Sequence, residues 1–157
     1  MSTAPVTAGT TGITGTAGTA GTAGTAARAR DLAEDFVAFL ETGVPPAGLF
    51  ASDVFCDFTM PRWRLQARGV DDVLALRRAG HPAPGRVPRS RFDATTTGFV
   101  LEVEERWEQD GQPWYCRELF RADVRDGSIR ELSVYCTGDW DRARVAEHAR
   151  SVELLRA

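Results

Sequence analysis

The stretch Phe99-Val100-Leu101-Glu102-Val103-Glu104-Glu105-Arg106-Trp107-Glu108 decides the fold. Phe, Leu, Val, Glu and Trp hold the odd positions, and all but one of the even positions are charged. A period of two marks a strand with one face on a core and the other in water. Gln109-Asp110-Gly111-Gln112 then reads as a turn. Beyond it, Trp114, Cys116, Glu118, Phe120, Ala122 and Val124 form the apolar face of a second strand. Arg125-Asp126-Gly127 reads as a three-residue hairpin loop closed by a glycine with positive φ, and Ser128 to Thr137 returns. That loop sets Val124 opposite Ser128, Phe120 opposite Leu132 and Cys116 opposite Cys136, with Arg121 against Glu131 on the outer face. A two-residue loop would instead put Phe120 opposite Ser133 and Glu118 opposite Tyr135. The first register is preferred because it keeps Leu132, Val134 and Cys136 on the core face. For the earlier hairpin, matching core faces pairs Trp107 with Trp114, Glu105 with Cys116 and Val103 with Glu118.

Helical periods lie to either side of this meander. Asp31 and Glu34 form a capping box before Leu32, Phe36, Phe39 and Leu40, which recur on one helical face. Gly43 and Pro45-Pro46 stop that helix. Phe55 to Thr59 reads as a short strand, and Trp63 to Gly69 crosses into a second helix, Val70 to Ala79, with Val70, Val73 and Leu74 inward. Gly80 to Gly85 is a loop by composition. A last helix begins near Asp139 or Asp141 and carries Val145, Ala149 and Val152 inward. Helices, then a strand meander, then a closing helix make an α+β domain over residues 28–157. Residues 1–27 precede it as a disordered Thr/Ala/Gly-rich tail, with Gly-Thr-Ala repeated from Gly15 to Ala26.

Composition narrows the chemistry. The chain has 157 residues, enough to bury roughly 65–70% of its unfolded surface. Its formal net charge of −3 gives no sustained field for nucleic acid or an anionic membrane. No apolar run approaches the ~18 residues of a membrane span. Lysine is absent, which excludes Schiff-base catalysis and a phosphate-loop lysine. The three cysteines form no CxxC pair, the two histidines are not at metal-ligand spacing, and no metal or other cofactor is expected. An odd cysteine count favours a reducing, cytoplasmic setting.

Register supplies the chemical candidates. Glu105 and Glu118 become diagonal neighbours on an otherwise apolar face, where two carboxylates cannot both ionise cheaply. A carboxyl kept neutral near pH 7 can donate to a substrate oxygen. Glu118 sits mid-strand between Cys116 and Phe120 and reads as a pocket-facing acid; Glu105, nearer a strand end, reaches water or pairs with an arginine. Asp57 is a second acid or base if its face lines the cavity, and a solvated carboxylate otherwise. Arg62 and Trp63 could clamp a ligand at the mouth, with Trp107, Trp114, Phe120 and Phe36 as apolar walls. Cys116 and Cys136 read as packed thiols. His81 reads as a solvent histidine in a Pro/Gly loop. The outer face carrying Tyr115, Leu119 and Tyr135 suits a homodimer contact.

The order of the capped helix, Leu49-Phe50-Ala51-Ser52-Asp53-Val54-Phe55, Gly69-Val70-Asp71-Asp72-Val73, Leu119-Phe120-Arg121 and Asp126-Gly127-Ser128-Ile129 resembles the SnoaL-like, nuclear transport factor 2-like superfamily. The resemblance spans roughly residues 28–150. It implies a cone-shaped roll: a curved, antiparallel-rich sheet wrapped on N-terminal helices around an apolar pocket, with a C-terminal helix. Polyketide cyclases and ketosteroid isomerases share that fold with epoxide hydrolases, dehydratases and non-catalytic modules. In the ketosteroid-isomerase branch an oxyanion-hole acid stands two residues before a Phe-Arg, the place Glu118 holds before Phe120-Arg121. The branch's tyrosine would fall near Phe36, which has no hydroxyl, and its general-base aspartate near Phe58, with Asp57 one residue away. The epoxide-hydrolase aspartate-arginine arrangement finds no counterpart, because Arg117 points away from Glu118. The expectation is a small-molecule-binding protein acting on a lipophilic oxygenated metabolite by cofactor-free cyclisation, isomerisation or dehydration. Glu118 would be the acid and Asp57 or Glu105 the base. The alternative is a binding or dimerisation module without turnover.

Overall fold

In the computed structural model, which describes residues 17–156 apart from Ala83, the elements run α1 Ala17–Thr42, β1 Phe50–Thr59, β2 Arg64–Arg68, α2 Val70–Gly80, β3 Gly85–Ala94, β4 Gly98–Gln109, β5 Gln112–Arg125, β6 Ser128–Cys136, β7 Trp140–Asp141 and α3 Arg142–Ser151. The sheet order is β2-β1-β6-β5-β4-β3, with β7 added beside β5. All neighbours are antiparallel except β1 and β6. The result is an α+β fold whose curved, unclosed sheet holds α1 and α2 in its hollow.

The alternation in β4 places Phe99, Leu101, Val103, Glu105 and Trp107 inward, all buried. From β5, Cys116, Glu118, Phe120 and Ala122 meet them. Trp107 pairs with Trp114, Glu105 with Cys116 and Val103 with Glu118, as the core faces require. Opposite them, α1 contributes Leu32, Phe36, Phe39 and Leu40, and the Phe36 ring meets that of Phe120 edge-on at 4.8 Å. Gly43, at φ +72°, ends α1 with its N–H on the Phe39 carbonyl at 2.8 Å.

Four expectations need correction. First, α1 begins at Ala17, so Asp31 and Glu34 lie inside the helix and form no capping box. Residues 17–27 of the expected tail are helical, while its first sixteen lie outside the described residues. The buried stripe supplies a nucleus, and an existing helix extends without paying again for nucleation. Second, Arg64–Arg68 is a strand on β1 and not a crossing segment.

The third correction concerns β6. Arg125 pairs with Ser128 and Val124 with Ile129, so the turn has two central residues, Asp126 (φ 53°) and Gly127 (φ 79°). Arg130 then bulges out of the ladder, and pairing resumes with Asp123 opposite Glu131. Below the bulge Phe120 faces Val134 and Glu118 faces Cys136, two residues away from the expected register. A two-residue turn alone would have swapped the faces; the extra residue restores them, so Leu132 and Val134 remain buried.

Fourth, α3 does not carry Val145 and Val152 inward: no residue in this helix is buried, and those two are exposed. Asp141 caps α3 by accepting from the Arg144 N–H at 2.8 Å. Trp140 contacts His148 and Tyr115 at ring distances of 5.2 and 5.8 Å, so aromatic contacts tie α3 to the sheet edge.

Gly98 opens β4 where a Cβ would lie 2.1 Å from the Ala122 carbonyl oxygen. Gly98→Ala must spread the β4–β5 ladder. Urea unfolding of this variant is expected to show a loss of about 1–3 kcal/mol against wild type.

Candidate active site

Between α1, α2 and the inner face of the sheet lies a cavity of about 50 Å³. Its walls are mainly apolar: Phe36, Phe39 and Leu40 from α1, Phe58 from β1, Val73 from α2 and Phe120 from β5. Its polar lining includes Glu118, His81 and Arg77.

Glu118 is 3% exposed, and its Oε2 has no hydrogen-bond partner among the described residues. Burial pushes its carboxyl well above the usual range, and nearby Glu105 and Cys136 add to the effect against the pull of His81 and Arg77. The environment favours its neutral form.

Glu105 lies on the next strand, also buried, and behaves in the opposite way. Burial opposes its charge, but His81 and the Arg77 fork overcome that and lower it to about 2. Arg77, in the last turn of α2, donates through Nη1 to Glu105 Oε2 at 3.1 Å and through Nη2 to Oε1. The same Nη2 reaches the Leu40 carbonyl at 2.9 Å, tying α2 to the end of α1. His81 follows α2 directly, its N–H on the Arg77 carbonyl at 2.8 Å. Its Nδ1 lies 3.2 Å from Glu105 and its Nε2 3.4 Å from Asp139. Burial would depress this imidazole, and Arg77, which also lies against Nδ1, works in the same direction. The hydrogen bonds to Asp139 and Glu105 outweigh both and raise it to about 9. The ring rests on Trp107 at 4.2 Å, a favourable seat for an imidazolium.

No family model and no curated protein matches this chain. Solved structures do. A nuclear transport factor 2-like protein from Anabaena variabilis superposes with a TM-score of 0.61 at 20% identity, over 73% of this chain and 90% of that one. The chain has the nuclear transport factor 2-like fold. A protein of ketosteroid isomerase-like fold from Catenulispora acidiphila, solved in complex with trimethylamine, gives 0.54 at 11% identity over 68% and 85%. An LEH-like epoxide hydrolase from M. tuberculosis gives 0.53 at 14% identity over 71% and 84%.

Within this nuclear transport factor 2-like cone, the residues singled out from the sequence separate into two groups. Glu118, Phe120 and Phe36 line the cavity, and Glu105 stands beside it with a carboxyl oxygen within 4.8 Å of one from Glu118. Asp57 does not join them. Val54 and Cys56 are buried and Phe58 lines the cavity, so alternation sends Asp57 to the outer face. There Arg64 Nε donates to it at 2.9 Å and Gln66 at 3.1 Å, and these bonds lower it to about 2. Arg62 is exposed and Trp63 is 67% exposed, and neither lines the cavity. Trp107 and Trp114 stack on each other at 6.3 Å behind His81, supporting the imidazole from outside the cavity lining. Arg117 faces outward onto Glu102.

His81 and Arg77 were missed. His81 is 7% exposed, not a solvent histidine. The available signal was its spacing: Arg77 and His81 stand four apart at the end of a helix and therefore share one side. Asp139, expected at a helix start, instead precedes β7 and faces His81.

Donor atoms of His81, Glu105 and Glu118 lie within 4.8 Å of one another, as do those of Cys116, Glu118 and Cys136, and of His81, Cys116 and Asp139. Arg77 already supplies the positive charge that Glu105 needs.

These shifts set the pH profile of stability. The Glu105 contribution is complete above about pH 4.5 and fades as pH falls toward 2. That of neutral Glu118 is complete below 4.5 and fades as pH rises toward its raised value. That of protonated His81 is complete below 6.5 and fades as pH rises through 9, a change of about 3 kcal/mol. Urea midpoints should peak near pH 5 and fall toward pH 9. In Glu118→Gln the fall should begin only above pH 6.5.

Removing the guanidinium leaves a buried carboxylate without its fork. Arg77→Met is expected to lose about 3–5 kcal/mol at pH 7, whereas the double variant Arg77→Met/Glu105→Met should recover most of it in the same unfolding assay.

Proposed function

We propose that this protein binds a lipophilic small molecule carrying a carbonyl or hydroxyl oxygen and acts on it by acid-base chemistry, with Glu118 as the acid. The observation that carries the reading is the buried Glu118 carboxyl at the wall of an apolar cavity, its Oε2 without a partner among the described residues. A neutral carboxyl there donates to a substrate oxygen, and the His81 charge close by favours the negative charge that develops on it. Glu105 is a poor base, since its lone pairs are held by Arg77 and His81. Asp57 lies on the other face. The reaction class that fits is therefore one in which a single carboxyl gives a proton and takes one back. In a dehydration, Glu118 protonates the departing hydroxyl, and its carboxylate removes the neighbouring C–H proton, leaving an alkene and water. Cyclisations and isomerisations that relay one proton meet the same requirement. The likeness to a fold neighbour solved with a small amine and to an epoxide hydrolase supports small-molecule chemistry in this type of cone. A second copy of the chain is proposed to cover the outer face, where Leu119 and Tyr135 sit opposite each other and are exposed.

An aryl β-hydroxy ketone is a suitable probe, because its dehydration product is a conjugated enone with strong ultraviolet absorption. Wild type should accelerate enone formation, and Glu118→Gln should lose roughly 10²–10³ of that rate while binding the ketone within a few-fold of wild type. The total commitment of the other cavity charges to ion pairs favours a second reading, a binder without turnover. Tight ketone binding by wild type with no enone formed would establish that reading instead.

A further inference from the structure

The acid-base reading leaves two reactive groups unused. Cys116 on β5 and Cys136 at the end of β6 are free thiols on the core face. Glu118 stands opposite Cys136, so Cys116 is the diagonal neighbour of Cys136. Both sulfurs and a Glu118 carboxyl oxygen lie within 4.8 Å of one another. The two thiols are not equivalent. Cys116 is fully buried, while Cys136 is half-buried at the point where β6 ends. The Gly138 N–H donates to Cys136 Sγ at 3.3 Å. The neighbouring Cys116 thiol and that backbone donor outweigh burial and lower Cys136 to about 7, while the proximity of Cys136 and burial push Cys116 up. Cys56 is the internal control, since burial raises its thiol to about 12. Gly138, with φ +78°, stands two residues beyond Cys136 and aims its N–H back at the sulfur.

We propose that Cys136 and Cys116 form a dithiol site for a small hydroperoxide, with Cys136 as the attacking sulfur and Cys116 as the resolving one. In the first step the Cys136 thiolate forms an S–O bond and the peroxide O–O bond breaks. The leaving hydroxide takes a proton from neutral Glu118 and departs as water, leaving Cys136 as a sulfenic acid. In the second step the Cys116 thiol passes its proton to the Glu118 carboxylate, and its sulfur attacks Cys136. The S–S bond forms as the S–O bond breaks, and the hydroxide leaves with that proton. Two thiols and one hydrogen peroxide thus give one disulfide and two waters, with the proton first lost by Cys136 returned to Glu118 from solvent. Both readings draw on neutral Glu118, but the peroxide chemistry needs no ligand in the apolar cavity, and its thiol readouts distinguish it from the ketone chemistry.

The test treats the reduced full chain, without denaturant, with hydrogen peroxide and follows it by thiol titration and peptide mass mapping. The expected product is an intramolecular Cys116–Cys136 disulfide with Cys56 still reduced. Cys136→Ser should slow thiol loss about tenfold or more, as expected when an activated thiolate is removed. Cys116→Ser should stop at a sulfenic acid that dimedone labels on Cys136. Iodoacetamide competition on wild type needs no substitution, and it should alkylate Cys136 first with a midpoint near pH 7. Oxidation of Cys56 as fast as Cys136, dimedone on Cys116, or disulfides only between chains would each overturn the proposal.

Discussion

The buried fork between Arg77 and Glu105 is the constraint on which the rest of the interior depends. A carboxylate only 1% exposed is tolerable only when its charge is matched and its oxygens are bonded, and Arg77 does both. The same guanidinium takes the Leu40 carbonyl, so one side chain fixes the end of α1, the end of α2 and the middle of β4 together. Because α2 is pinned at its last turn, the residue just beyond it, His81, cannot swing to solvent. It is pressed between Trp107, Glu105 and Asp139.

This arrangement explains how two glutamates on one sheet face come to differ. Glu105 and Glu118 stand on adjacent strands, both buried, with oxygens within 4.8 Å. The cations of the cluster bond Glu105 directly and act on Glu118 only from a distance, where burial outweighs them, so the first is favoured as a carboxylate and the second as a neutral acid. The separation arises from position: Glu105 faces the α2 terminus and Glu118 faces the apolar hollow. Substituting one for the other in sequence terms would be meaningless without the helix that divides them.

Much of this could be read from the chain because a period of two is a strong local signal. The alternation in β4 and β5 was enough to pair Trp107 with Trp114 and to turn Glu118 inward. The register of β6 was not legible, since neither candidate loop included a bulge at Arg130, and a bulge leaves no mark in the hydrophobic pattern. Only the parity of the faces survived, because burial enforces it. His81 was misjudged because Pro and Gly around it signal a loop but say nothing about what packs over that loop. Val145 in α3 and Val152 just beyond it stand at helical spacing, yet the helix had no core left to meet, and aromatic contacts near Trp140 decided its seat. For the Gly-Thr-Ala repeat, intrinsic propensity predicted a coil, whereas a helix already nucleated downstream carries on through residues of poor propensity.

The face assignments also limit the chemistry in a way that no single distance does. Bringing Asp57 into the hollow would require β1 to slip by one residue, which would turn Val54, Cys56 and Phe58 outward and empty one wall of the cavity. Asp57 is thus excluded by the whole strand and not by its rotamer. Freeing Glu105 as a base would break the fork that holds α2. In the proposed chemistry, proton transfer therefore falls to one carboxyl acting from one wall. A group that must deliver a proton to an oxygen and then collect one from a neighbouring carbon has to reach both from the same side of the ligand. For an elimination in this cavity, the departing oxygen and the departing hydrogen consequently lie on one face of the forming double bond, a syn course imposed by the sheet.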